Sequence, residues 1–293
     1  MNKKLFFIFL LLKIFYVSSQ ELVESDTLHV NYLGQDKGLL QLNSKAIVRD
    51  SLGFLWVGTE DGLHRFDGYS FTPNVHNPNK NNSLQDDHIR GLLALEDTLF
   101  IASNSEGILG YQLSQNNYFS ISFSKKKLNE KIAYDVFLLN RRSVLFSLNN
   151  NFVIYDVITK ETQVFNLPKK KKENFINAVL SLDEENFLLG TSESGLLQFN
   201  LKNKKLKAYA LFQENDVESL LFIKDQIFVG NHRGISIIDS GKLFEHIALP
   251  EVRCFYLFST TQLLIGTETG LYSYDLELKK LQKQILKSDT KKI

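Results

Sequence analysis

The residues of this sequence that could do chemistry are six histidines, one cysteine and scattered acids, and their spacing decides what that chemistry is. His29, His64, His76, His88, His232 and His246 lie far apart, with no His-x-x-x-His or Cys/His spacing for a metal. Cys254, in the apolar run VRCFYLF, has no disulfide partner and no neighbouring histidine, so it is expected as a buried small side chain rather than a nucleophile. The segments NPNKNN and NNSLQDD offer oxygen ligands without the spacing of a calcium loop, and no Gly-x-Ser-x-Gly elbow occurs. No pair of buried acids can be argued, so no catalytic residue, metal or cofactor is assigned. What remains is a set of polar residues at recurrent turns: Glu60 and Asp61, Asn104 and Glu106, Asn149 and Asn150, Ser192 and Glu193, His232 and Arg233, and Glu268. Hydrogen bonding to sugar hydroxyls is the chemistry such groups support. Glu60, Asp61, Glu106, Glu193, His232, Arg233 and Glu268 are the candidate ligand contacts.

The elements that must position them are repeats. Six strand–turn–strand segments align: FLWVGTEDGLHRFD (54–67), LFIASNSEGILGYQ (99–112), VLFSLNNNFVIYDV (144–157), FLLGTSESGLLQFN (187–200), IFVGNHRGISIID (227–239) and LLIGTETGLYSYD (263–275). Their glycine-equivalent positions, Gly62, Gly107, Asn151, Gly195, Gly234 and Gly270, recur every 36 to 45 residues. An apolar run precedes each segment and a more polar one follows, giving four short strands per unit. Asn or Gly at the turn supplies the positive φ of a tight hairpin. Pro73, Pro78, Pro168 and Pro250 are expected between units. Units of four strands at this spacing predict an all-β fold, a β-propeller, with blades near 46–71, 88–121, 132–165, 175–211, 216–249 and 251–286. Helical periodicity, which a solenoid needs, is absent outside the N-terminus.

Residues 1–19 read as a secretory signal peptide, with Lys3 and Lys4 ahead of an apolar run and small residues before Gln20. That predicts an exported chain, periplasmic or extracellular, with the propeller over 20–293. Cleavage takes Lys3, Lys4 and Lys13 from a total of 34 Lys+Arg against 33 Asp+Glu, leaving the chain near neutral. Such a balance argues against nucleic acid as a partner, and the lysine runs 125–127 and 169–172 read as solvated loop tips. The 43% apolar composition suffices for a large core without disulfides. Trp56 is expected in that core, between blades.

The count of strands raises a question of closure. Leu28–Tyr32 (LHVNY) looks like an outer strand ahead of the first unit, yet the sixth unit supplies its own at Leu281–Leu286. The expectation is an incomplete seven-bladed ring, with two unpacked blade faces. The alternative is a closed six-bladed ring with a redundant terminal strand.

The first unit, RDSLGFLWVGTEDGLHRFDGYSF followed by NPNKNNSLQDDHI, resembles the two-component regulator propeller repeat. The matching positions are Asp50, Gly53, Phe54, Leu55, Trp56, Gly58, Thr59, Gly62, Leu63, Arg65, Phe66, Asp67, Gly68, Phe71, Ser83, Leu84 and Ile89. Later units keep less: the fourth and sixth retain Gly-Thr and the turn glycine without the tryptophan. The resemblance implies an extracytoplasmic ligand-sensing input domain, non-catalytic itself, that binds a small molecule or an oligosaccharide. It also implies downstream sensor-kinase domains or a homodimer as partners, and membrane attachment only through such a downstream segment. The chain itself has no histidine-kinase H-box and no glycine-rich ATP-binding motif. A stand-alone protein-interaction propeller and a carbohydrate-active propeller enzyme are the other readings.

Overall fold

The computed structural model describes residues 27–104, 107–123, 132–209, 212, 214 and 216–288. The expected signal peptide, Glu106 and the lysine run 125–127 lie outside the described residues. A short strand β1 (Thr27–Val30) comes first. Blade one is β2 (Ser44–Arg49), β3 (Leu55–Thr59), β4 (Gly62–Phe66) and β5 (Phe71–Asn74). Blade two is β6 (Ile89–Leu95), β7 (Thr98–Ser103), β8 (Ile108–Gln112) and β9 (Asn117–Ser120); blade three is β10 (Ala133–Asn140), β11 (Ser143–Leu148), β12 (Asn151–Asp156) and β13 (Thr162–Asn166). Blade four is β14 (Ile176–Ser181), β15 (Asn186–Thr191), β16 (Leu196–Asn200) and β17 (Lys205–Ala208). Blade five is β18 (Ser219–Ile223), β19 (Gln226–Asn231), β20 (Gly234–Asp239) and β21 (Lys242–Ala248). Blade six is β22 (Val252–Leu257), β23 (Gln262–Thr267), β24 (Gly270–Asp275) and β25 (Lys280–Lys283), and β26 (Ile285–Ser288) follows. Each blade is an antiparallel meander with its strands in chain order. Six such blades form a β-propeller.

Turn chemistry sets each hairpin. In blade one the pair Thr59↔Gly62 closes a two-residue turn, and Gly62 has φ of 111°. A Cβ there would meet the Asn74 carbonyl oxygen at 2.8 Å, so the position excludes a side chain twice over. The Thr59 hydroxyl donates to the Gly62 carbonyl and accepts from the Asp61 amide. In blade three the left-handed residue is Asn150 (φ 57°), not Asn151, which opens β12 in the pair Leu148↔Asn151. Pro73 lies inside β5, not between units; on an outermost strand its missing N–H costs no ladder bond.

The core lies between blades. Trp56 and Leu63 of blade one pack with Ile89 and Ile101 of blade two, and Phe152 and Ile154 of blade three pack with Phe187 and Phe199 of blade four. Gly58, of the Gly-Thr pair, permits this closeness: a Cβ would sit 2.5 Å from Ile89 Cγ2 of the next blade. Consecutive inner strands touch from β2 through β6, β10, β14 and β18 to β22, and β22 and β2 are not among the strand pairs in substantial contact. The N-terminal strand does not complete a blade. β1 pairs in parallel with β26, Thr27 opposite Ile285, so the expected outer strand at 281–286 divides into β25, which pairs with β24, and β26, which does not.

Two expectations about exposed faces change. The face of blade one turned away from blade two is covered by the preceding segment: Leu39 is buried with Val57 and Phe71, and the Leu40 amide donates to buried His64 Nε2. Cys254 is exposed, not buried, because no blade of the described residues covers its side of β22.

Candidate functional site

The register of the innermost strand produces the site. In blade one Ser44 pairs with Thr59 and Ala46 with Gly58, so Lys45 is an extra residue, a β-bulge. The same skip leaves Arg90 unpaired in blade two, Tyr134 in blade three, Asn177 in blade four and Arg253 in blade six. Glu218 of blade five immediately precedes the pair Ser219↔Gly230 and stands at the equivalent place. A bulge turns its extra side chain out of the ladder. Each blade therefore presents one polar or aromatic side chain, on the innermost strand at the end where the turns between second and third strands lie.

These side chains meet those turns and one another. Lys45 Nζ lies 3.3 Å from Glu60 Oε1. Arg90 donates through Nε and Nη2 to Asn104 Oδ1, at 2.9 and 2.7 Å, and its guanidinium lies 5.0 Å from the centre of the Tyr134 ring. Tyr134 stacks on Phe175 with centroids 4.0 Å apart, and its hydroxyl donates to Glu173 Oε2. Asn177 Nδ2 donates to the Val217 carbonyl and to Glu218 Oε1. Arg253 reaches Glu218 Oε2 at 3.5 Å and Glu251 Oε1 at 2.8 Å. Burial raises the Glu218 carboxyl above its usual range even though Arg253 opposes it. One residue further along β10, burial pushes Asp135 up to about 7. Asp135 Oδ1 accepts from the Val136 amide and lies 2.3 Å from where a Cβ on Gly91 would be, so only glycine fits beside it.

The turns are fixed to the linkers that join blades. The Asn104 amide donates to the His88 carbonyl, Asn150 to Asn174, Ser192 to Phe175 and Glu268 to Glu251. Of the turn residues read from sequence, Glu60 joins the bulge side chains through Lys45 and Asn104 joins them through Arg90, and Glu60 also accepts from Asn43 Nδ2. Asp61 is exposed at the same turn. Glu193 pairs with Lys172 at 3.5 Å, His232 with Asp216 at 2.7 Å and Arg233 with Glu214 at 3.2 Å, each tying a turn to its linker. Glu268 is held by its backbone. Sequence reasoning missed Lys45, Arg90, Tyr134, Asn177, Glu218 and Arg253. Their signal was available: each stands 12 or 13 residues ahead of the position aligned with Gly58. Among the described residues no group of three or more His, Cys, Asp or Glu is placed to hold a metal ion.

No family model matches the chain. A stretch of 47 residues is 45% identical to Histidine kinase P4 of Formosa agariphila, covering 16% of this chain and 3% of that protein. Among solved structures, the extracellular domain of the hybrid two-component system BT3049 of B. thetaiotaomicron superposes with a TM-score of 0.75 at 18% identity, over 86% of this chain and 36% of that one. At this identity the likeness is one of fold, the β-propeller. The extracellular domain of BT4673 from the same organism, at TM-score 0.57 and 16% identity, matches 85% of this chain and 39% of its own. U3-55K matches at TM-score 0.58 and 15% identity, over 76% of this chain and 72% of its own. The chain thus spans about a third of the length of the first of these structures and a small part of the curated relative. The likeness to two-component extracellular domains agrees with the resemblance carried by the first repeat.

Proposed function

We propose that this chain is the ligand-recognising input propeller of an exported two-component sensor, non-catalytic itself, with a saccharide as its ligand. The observation that supports it best is the set of bulge side chains, one per blade, in which Arg90, Tyr134, Asn177, Glu218 and Arg253 combine charge, amide and aromatic groups at one end of the propeller. Sugars are recognised by such mixtures of hydrogen-bonding groups and ring faces. The export signal read at residues 1–19 and the likeness to extracellular domains support the location. Signal transfer falls to downstream domains of the kind that such sensors carry.

Screening the purified protein on a glycan array, followed by titration of the hits, tests this reading. Arg90→Ala and Tyr134→Ala are expected to weaken binding at least about tenfold, roughly 1.4 kcal/mol, while leaving the melting transition in place. Binding that survives both substitutions would overturn it. A second reading, a protein-interaction platform, is favoured by the exposed Tyr256 and Phe258 on and beside β22. Capture of a protein partner that is lost in Tyr256→Ser and retained in Arg90→Ala would support that reading instead.

A further inference from the structure

Away from the bulge side chains, the interface of blades one and two opens at its rim into a cleft of about 300 Å³. That volume accommodates one sugar ring and stands at the lower end of ligand-site sizes. The cleft has one acid and one guanidinium, and their states differ. Asp50 is buried and committed: Oδ1 accepts from the Leu52 and Phe54 amides, and Oδ2 accepts from Trp56 Nε1 at 2.7 Å. Arg65 lies over the Phe54 ring, 4.7 Å from its centre, and makes no hydrogen bond or ion pair among the described residues. A half-buried cation held by an aromatic face, with no carboxylate bonded to it and Asp67 acting on it only through space, is open to an anion. Thr72, Asn74 and Asn116 add neutral polar groups to the wall, and Trp56 with Tyr111 closes the inner side.

The repeat shows that this cleft is particular to blade one. Arg65 lies opposite Trp56 in the ladder; at the corresponding place blade two has Gly110, opposite Phe100, and a Cβ there would sit 2.1 Å from the Phe119 ring. Blades three and five place Ile154 and Ile237 at that position, both buried. Blade four has Gln198 there and blade six has Ser273, so among the six blades only blade one places a guanidinium at this position.

We propose that this cleft is a second binding site, for a carboxylate-bearing sugar ring, with Arg65 taking the carboxylate and Thr72, Asn74 and Asn116 taking hydroxyls. The site is independent of the bulge side chains. The test is calorimetric titration of the full chain with glucuronate and galacturonate, with glucose and galactose as neutral counterparts and acetate as a carboxylate without a ring. The expected result is binding of at least one uronate, weakened at least about tenfold in Arg65→Gln. Neutral sugars and acetate should bind at least about tenfold more weakly than that uronate. Circular dichroism and melting of Arg65→Gln check that its fold is kept, and Thr72→Val provides a second variant should Arg65→Gln fail to fold. Absence of uronate binding to the native chain would overturn the proposal, as would equal binding of neutral sugar or acetate, or uronate binding undiminished in Arg65→Gln. Loss of binding in Arg90→Ala alone would move the uronate to the other site and leave the cleft without a role.

Discussion

In blade one, Ala46, Val48 and Trp56 lie against blade two; in blade six the same repeat positions are Cys254, Tyr256 and Leu264, and Cys254 and Tyr256 are exposed. The two blades have the same strand order and the same bulge, and each has glycine in the second strand, Gly58 and Gly266. A Cβ on Gly58 would strike Ile89 of the next blade, whereas one on Gly266 meets only Cys254 and its carbonyl within its own blade. Burial in a propeller is therefore a property of adjacent blades and not of a blade's own residues. The opposite faces differ as well. Blade one's other side is covered by Leu39 and its neighbours, while blade six's other side packs on blade five through Phe255, Leu263 and Ile265.

The largest expected effect separates Trp56 from Leu264. Trp56→Ala should destabilise the protein by about 3–5 kcal/mol, because it removes a buried ring and leaves Asp50 without one donor. Leu264→Ala, at the matching place in blade six, should cost less than about 1 kcal/mol. Urea unfolding of the two variants compares them, and equal losses would break the contrast. Leu39→Ala should cost about 2 kcal/mol in the same measurement, since it uncovers Val57 and Phe71. No change would mean that the leading segment is not what closes blade one.

A smaller effect concerns Asp135, which occupies in blade three the position of Ala46 and Cys254. Its folded value of about 7 exceeds the ordinary 3.8 of the unfolded chain, so between these the folded protein holds a proton that the unfolded one lacks. Stability should therefore fall as pH rises from about 4 to about 7, by less than about 1.4 kcal/mol per unit. Asp135→Asn should lose this dependence and be the more stable protein at pH 8. Melting curves across that range check it, and an unchanged slope in the variant would show that Asp135 is not buried against Gly91.

The repeat was legible in the sequence because its turns need particular residues. The glycines at 62, 107, 195, 234 and 270 all take positive φ, whereas the third unit aligns on Asn151 and takes the left-handed conformation one residue earlier, at Asn150. The bulge residues were not legible from composition. Lys45, Arg90 and Arg253 look like ordinary surface charges, and only the register against the second strand shows them to be extra residues. The charged turn residues were legible by type but not by role, since Glu193, His232 and Arg233 pair with linker residues that lie 16 to 21 positions away. Cys254 failed for a different reason. The run VRCFYLF is as apolar as the inner strands of other blades, and its exposure depends on a neighbour that the local sequence does not describe.

Thiol labelling tests the contrast between neighbours most directly, because Cys254 is the chain's single cysteine. Ser219 occupies the same repeat position in blade five, where it is buried. Native protein should react with a thiol reagent at a rate near that of the unfolded chain. The Ser219→Cys variant in a Cys254→Ser background should react at least about a hundredfold more slowly, as expected where exposure requires unfolding. A protected Cys254 in the native monomer would contradict an uncovered face on blade six, and a fast-reacting thiol in the Ser219→Cys variant would contradict the packing between blades five and six.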